Sequence, residues 1–226
     1  MGFLARLDGT PSHWVLRQAL RGLTCMEHRG GCGGDGDSGD GAGILCGIPW
    51  SFLEAVWPGA AVASGVRGLA MVFLPADEGR RQEARRFCEE EASRLGLQSL
   101  GWRPVPVDGA VLGPLARQTA PAIEQWLLVA PEASAADPEA VNGVEALLFR
   151  LRRRAVDRTR EAWGSDIGNL YFASISARTV VYKGMVRSEV LDRFYGDLRD
   201  ERFTVSFAVY HHRFSTNTLQ IGRAHV

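Results

Sequence analysis

A basic, hydroxyl-rich run near the end of the sequence has the residue types of a binding site for a small carboxylate. The run is residues 210–218, Tyr-His-His-Arg-Phe-Ser-Thr-Asn-Thr, and it follows an apolar stretch typical of a buried strand. The guanidinium of Arg213 offers a planar set of donors that matches a carboxylate. Hydroxyls, an amide and backbone N–H groups come from Ser215, Thr216 and Asn217. Two interpretations stay open: a pocket for a small carboxylate such as an amino acid, or an Arg paired with a structural acid at a strand end.

A second unusual segment, residues 27–45, is rich in Gly and Asp. A phosphate-binding loop would need a Lys, which is missing here, and the Asp side chains would repel phosphate. A calcium loop fits Asp35 and Asp37, but the third ligand position is Gly39 and the twelfth loop position is Cys46 rather than Glu. Cys32 could act as a nucleophile only with a base beside it, and no convincing base lies nearby in the sequence. The composition favours a tight turn in which backbone packs closely against backbone.

Alternating predicted strands and helices surround these two segments. The strands are predicted at residues 2–7, 44–48, 68–74, 126–130, 170–176, 179–182 and 203–209, with an extended edge at 101–108. Helices are predicted to start at Ser12, Ser51, Asp77, Asp137 and Ser188.

Some of these predictions carry finer detail. Ser12 is expected to cap the first helix, and Gly30 and Gly31 to end it. Residues 170–182 are expected to form a hairpin around Ala177-Arg178, and the helix from Ser188 is expected to run to residue 198. Cys88 is expected to be half-buried on a strongly charged helix.

Composition limits the classes of protein to consider. The chain has 226 residues, 26 basic and 26 acidic side chains, and a hydrophobic fraction of 46%, which suits one large domain. The balanced charge gives no reason to expect nucleic-acid binding, and the Arg cluster at 150–154 fits a solvated helix face. No apolar run approaches the length of a membrane span, no secretory leader is apparent, and the four cysteines lack metal-type spacing. We therefore expect a cytoplasmic protein with free thiols, no metal site and no membrane or nucleic-acid partner.

Several motifs resemble the class II glutamine amidotransferases, and in particular the large subunit of glutamate synthase. Arg-Phe-Ser-Thr-Asn-Thr at residues 213–218 resembles the family's glutamine-binding strand, and His-Arg-Gly at 28–30 its helix-end turn. Gly-Asp-Gly-Ala-Gly-Ile-Leu at 39–45 and Ser-Ala-Arg-Thr-Val-Val-Tyr-Lys-Gly-Met at 176–185 resemble glutamate synthases specifically. The resemblance covers residues 2–218, and we expect residues 1–218 to be a partial amidotransferase domain.

Both ends depart from the family pattern. The mature enzymes begin with Cys-Gly-x-Gly-Phe, and the cysteine there is the nucleophile, with its own α-amino group as the base. Here Met1 takes the x position before Gly2-Phe3, so no residue of the given chain is expected to be the catalytic nucleophile. The last eight residues, 219–226, do not resemble the family, and residues 221–226 back-translate to a sequence similar to a library adapter. We expect them to be a non-native tail.

The resemblance implies a fold and a set of roles. The fold is α+β, of the N-terminal-nucleophile hydrolase type, a four-layer αββα sandwich that is incomplete here. Arg213 would grip the substrate α-carboxylate, with Ser215, Thr216 and Asn217 beside it. Supporting positions would be held by His211, His28 and Arg29.

The resemblance also implies a reaction and its partners. The domain would hydrolyse L-glutamine, and the ammonia would form glutamate from 2-oxoglutarate elsewhere in the enzyme, in nitrogen assimilation. No cofactor is expected in this segment; the full-length oxidoreductase would carry FMN and an iron–sulfur cluster, and a small electron-donating subunit could join it. The given chain is expected to be inactive alone, and the alternative is a catalytically dead domain that binds glutamine or a partner.

Overall fold

The computed structural model describes residues 1–27, 38–39, 41–61, 64–164 and 170–212. The chain divides into two compact units. The first comprises Met1–Phe52, Val105–Ala120 and Val181–Val226, and the second comprises Leu53–Pro104 and Pro121–Val180.

Eight strands and six α-helices are described. The strands are β1 (Gly2–Ala5), β2 (Ala42–Gly47), β3 (Val66–Leu74), β4 (Gln98–Pro104), β5 (Ala122–Ala130), β6 (Tyr171–Ser176), β7 (Thr179–Gly184) and β8 (Phe207–His212). The helices are α1 (His13–Cys25), α2 (Trp50–Val56), α3 (Glu78–Arg94), α4 (Pro114–Gln118), α5 (Pro138–Trp163) and α6 (Leu191–Phe194).

The first unit is built on a sheet with the strand order β1-β8-β2-β7. Both β1 and β2 run antiparallel to β8, which therefore lies between the chain start and the Gly-rich segment. Helix α1 packs on β8 and β1 through residues at helical spacing that are fully buried: Val15, Leu16, Ala19 and Leu23.

The second unit is built on a sheet with the order β4-β5-β3-β6, in which each described pairing is antiparallel. Helices α3 and α5 contribute Ala84, Cys88, Leu148 and Leu151 to a core with this sheet. Both helices start as predicted: the side chain of Asp77 accepts a hydrogen bond from the Arg80 N–H, and that of Asp137 from the Glu139 N–H. The predicted edge position of residues 101–108 is confirmed for residues 101–104, because β4 is an outer strand. Residues 105–108 lie beyond β4 and belong to the first unit.

The predicted hairpin at residues 170–182 is wrong. Strand β6 pairs with β3, whereas β7 belongs to the other sheet. The Ser176 hydroxyl accepts hydrogen bonds from the N–H groups of Arg178 and Thr179, which turns the chain between them. Ala-Arg also lacks the Asn and Gly residues that favour the positive φ angles of a two-residue hairpin.

The predicted helix from Ser188 to residue 198 is also wrong. The segment consists of two short 3₁₀ turns, Ser188–Val190 and Gly196–Arg199, on either side of α6. Tyr195 interrupts the helix because it has an extended backbone and forms an isolated bridge with Val107.

Three smaller predictions need correction. Ser12 precedes α1, but its side chain makes no capping bond, because its backbone pairs with Val205. Helix α1 ends at Cys25, before the glycines, where the Met26 N–H bonds to the Leu23 carbonyl. Cys88 is fully buried in the core between helix and sheet.

The predicted combination of helices with largely antiparallel sheets is confirmed. Its arrangement as a four-layer sandwich stays a prediction. Within the described part of the chain, no helix is both long and apolar enough to cross a membrane.

Candidate active site

At one end of the strands of the first sheet, the chain start lies beside the end of β8. Gly2 of β1 pairs with Tyr210 of β8, and Gly43 of β2 pairs with His211 of β8. The predicted glutamine-binding run starts directly after His212, the last residue of β8. The register of three neighbouring strands thus places the chain start, the first residues of β2 and the entry to the predicted binding run side by side.

His211 is half-buried at this end of the sheet. Burial lowers the pKa of its imidazole, and the positive charges of Lys183, the chain-start amine and His212 lower that pKa further. His211 is therefore neutral at neutral pH, with one ring nitrogen that donates a hydrogen bond and one that accepts.

Gly43 lets two side chains approach across β2. A Cβ atom on Gly43 would lie 2.6 Å from Cε1 of His211 and 2.8 Å from Cβ of Lys183. Both distances are too short for any side chain to fit without displacing a neighbour. The missing side chain at Gly43 therefore brings Lys183 of β7 and His211 of β8 together on one face of the sheet.

Tyr210 fixes the position of the chain start. Its ring covers Gly2 and also Gly22 of α1, where a Cβ would lie 2.5 Å from the phenol oxygen and 2.7 Å from Cζ. The two glycines thus form a slot for one aromatic ring, and this ring connects β1, β8 and α1.

A buried aromatic cluster contacts the backbone of Lys183. The Tyr195 hydroxyl donates to the Lys183 carbonyl at 2.7 Å, and the Tyr182 hydroxyl donates to Oδ2 of Asp197 at 3.0 Å. The rings of Tyr182 and Tyr195 meet edge to face with centroids 5.1 Å apart. Burial raises the pKa of Tyr195, so its hydroxyl keeps its proton and its hydrogen bond at any physiological pH.

The described part of the Gly-rich segment packs backbone against backbone. A Cβ on Gly39 would lie 2.6 Å from backbone atoms of Val186 and Arg187. The neighbouring Ser38 hydroxyl accepts a hydrogen bond from the Ala116 N–H at 3.3 Å. The predicted close backbone contact is confirmed at Gly39, while Cys32, Asp35 and Asp37 lie outside the described residues.

Most predicted site residues also lie outside the described residues. These are Arg213, Ser215, Thr216, Asn217, His28 and Arg29. His211 is described, and it lies at the end of the sheet where the chain starts.

Burial makes two of the internal cysteines poor nucleophiles. Cys46 and Cys88 are fully buried, which raises the pKa of both thiols, that of Cys46 to about 12. Because the thiolate is the reactive form, neither side chain can attack a substrate at neutral pH. Cys25 is exposed at the end of α1.

Comparison with known proteins identifies the family. The family model for class-II glutamine amidotransferases matches residues 1–224. The chain belongs to the class-II glutamine amidotransferases. The strand ends of β1, β8 and β2 described above therefore belong to an amidotransferase domain.

Individual relatives point to one branch of this family. Ferredoxin-dependent glutamate synthase 1 of Arabidopsis thaliana, chloroplastic/mitochondrial, is 45% identical over 96% of this chain and 13% of its own length. Ferredoxin-dependent glutamate synthase 2 of Synechocystis is 44% identical over 97% and 14%. The large chain of the NADPH glutamate synthase of Bacillus subtilis is 37% identical over 100% and 14%. The resemblance to glutamate synthases is confirmed, and the chain spans about one seventh of the length of these relatives.

Three residues near the chain start in this sheet were not among the predicted site residues. Tyr210 and Gly43 depend on contacts between distant parts of the chain, which no local pattern shows. Lys183 had a detectable signal, because it is the only lysine in the chain.

Proposed function

We propose that the chain is the glutamine-hydrolysing part of a glutamate synthase and releases ammonia for the synthesis of glutamate from 2-oxoglutarate. The observation that carries this proposal is the alignment of 96–100% of the chain with glutamate synthases at 37–45% identity. We propose a cytoplasmic enzyme of ammonia assimilation and glutamate biosynthesis; the Arabidopsis thaliana relative above is named for the chloroplast and mitochondrion.

Arg213 is proposed to bind the α-carboxylate of glutamine, because a guanidinium can pair with both carboxylate oxygens. Ser215, Thr216 and Asn217 would add hydrogen bonds to the same substrate. The sequence places all four directly after β8, so the neutral His211 would support this strand from the neighbouring position. His28 and Arg29 are proposed to brace the turn after α1.

The nucleophile is proposed to be a terminal cysteine that precedes Met1 in the parent protein. Its thiolate would attack the side-chain amide of glutamine, form a glutamyl thioester and release ammonia, and water would then release glutamate. If the β1–β8 register continued, the residue before Met1 would lie opposite His212. A cysteine one residue further upstream would thus lie beside the end of β8, where the predicted glutamine-binding run begins.

FMN and the iron–sulfur cluster are proposed to belong to other parts of the parent protein. Among the described residues, no group of three or more His, Cys, Asp or Glu side chains could hold a metal ion. Relatives with ferredoxin and with NADPH in their names both align with this domain, so an electron donor or small subunit would act elsewhere.

Glutaminase assays of the full-length parent protein test this proposal. We expect Arg213→Ala to raise KM for glutamine about 10- to 100-fold, because charge-assisted hydrogen bonds contribute about 1.5–3 kcal/mol. Arg178→Ala is the matched control, since Arg178 bonds to Asn142 in the second unit. Equal KM values for the parent and Arg213→Ala would contradict the assignment. Glutamine binding without release of glutamate would instead favour a catalytically dead binding domain.

A further inference from the structure

Lys183 is unusual in both composition and position. Lys183 is the single lysine among the 26 Lys and Arg residues, and the other 25 are Arg. It lies at the end of β7, in the sheet that also contains the chain start and His211. A chain that uses Arg at every other basic position has a compact, flexible ammonium only here.

Packing brings Lys183 close to His211. The strand order places β2 between β7 and β8, and Gly43 on β2 has no side chain to separate the two residues. The position of a Cβ on Gly43 is within 2.8 Å of both the Lys183 Cβ and the His211 ring. The flexible stem of Lys183 can therefore direct its ammonium along the gap above Gly43.

The charges that the described residues place around His211 all act in one direction on its pKa. Lys183 faces it from β7 and His212 adjoins it on β8, and the Met1 amine of the given chain faces it from β1. Each is positive or can become positive, and burial of the ring adds to their effect. In the proposed parent protein the Met1 nitrogen belongs to a peptide bond, so Lys183 and His212 supply the charge there. No described acidic group contributes to the opposite effect.

We propose that Lys183 is a positioning residue that acts through His211, and that it keeps the His211 imidazole neutral next to the glutamine-binding run. This inference rests on the proposed glutaminase function. A neutral imidazole can accept a hydrogen bond from the nucleophile segment or from the substrate, whereas a charged one can only donate. Gly43 is required because any side chain there would separate the pair.

The chain itself allows a direct test of the coupling between the two residues. Reductive methylation with ¹³C-formaldehyde labels only two amines, the Lys183 side chain and the chain start, and keeps their charge. In an NMR pH titration, we expect the Lys183 methyl signal to show an inflection where His211 titrates. His211→Gln should abolish this inflection, and His212→Gln is the matched control that should keep it. An inflection that is missing, or unchanged in His211→Gln, would overturn the proposal.

Kinetics of the full-length parent protein test the functional part. We expect Lys183→Met to lower glutaminase kcat/KM several-fold more at about pH 6 than at about pH 8.5, because His211 then gains a proton more readily. Lys183→Arg keeps the charge and should retain the acid limb of the wild-type profile, while its planar fork lowers kcat. A Lys183→Met profile reduced by one factor at every pH would reveal a merely structural role and refute the proposal. If the unmodified parent protein lacked glutaminase activity, the proposed function would fail, while the NMR titration would still decide whether the pair exists.

Discussion

Replacing Gly22 with Ala tests how the chain start is held in place. In an ordinary helix interior, Gly→Ala increases stability by about 0.5–1 kcal/mol. At Gly22 the new Cβ would lie 2.5 Å from the Tyr210 phenol oxygen, about 1 Å closer than an ordinary contact. Overpacking of this kind costs about 1–3 kcal/mol. We therefore expect Gly22→Ala to lower the free energy of unfolding by up to about 2 kcal/mol, after the gain in helix propensity is subtracted.

Gly143 provides the matched control for this substitution. It lies inside α5, and a Cβ there would meet no atom within 4 Å. Urea unfolding followed by circular dichroism should show Gly143→Ala to be more stable than the parent chain and Gly22→Ala to be less stable. Adding Tyr210→Leu to Gly22→Ala should recover part of the loss. If both Ala variants were stabilised equally, the slot for Tyr210 between β1 and α1 would be refuted.

Two further predictions concern the same unit. Tyr182→Phe should lower the free energy of unfolding by about 1.5–3 kcal/mol, since it removes a buried hydrogen bond to the Asp197 carboxylate, and Tyr195→Phe by only about 0.5–1.5 kcal/mol, since its acceptor is a neutral carbonyl. Equal losses for the two variants in urea unfolding would contradict this order. Because the folded-state pKa of His211 lies below its unfolded value of about 6.5, only the unfolded chain takes up this proton as the pH falls through about 6.5. Stability should decrease over that range and level off below the folded-state pKa; His211→Gln should flatten this part of the stability profile, and an unchanged profile in that variant would sink the assignment.

Local sequence patterns predicted those elements whose ends are encoded locally. Asp77 and Asp137 are acceptors placed directly before helices, and both form the expected caps. Alternation and apolar runs indicated where the strands lie, although β5 starts at Ala122 rather than Trp126, and β8 spans Phe207–His212 rather than residues 203–209.

The two largest failed predictions depend on distant parts of the chain. The hairpin at residues 170–182 looked local, but β6 pairs with β3, about one hundred residues earlier in the sequence. Tyr195 is not helical, because its backbone pairs with Val107. Patterns along the chain cannot show that β6 and β7 belong to different sheets.

The same difference between local and distant information applies to the candidate site. Motif resemblance predicted the family, which the comparisons confirm. The glutamine-binding run at residues 213–218 stays a prediction. The roles of Tyr210, Gly43 and Lys183 could not be predicted, because each depends on a contact across strands that only the fold reveals.

Labelling of the full-length parent protein with an electrophilic glutamine analogue tests the central claim most directly. The analogue would form a covalent bond with the thiolate that is proposed to attack glutamine, and peptide mass spectrometry would locate the modified residue. We expect one modified cysteine, at the terminus two residues before Met1, with protection by excess glutamine and no adduct on Cys25, Cys46 or Cys88. Glutamine-protected labelling of an internal cysteine, or glutamine hydrolysis without a modified terminal cysteine, would contradict the assignment.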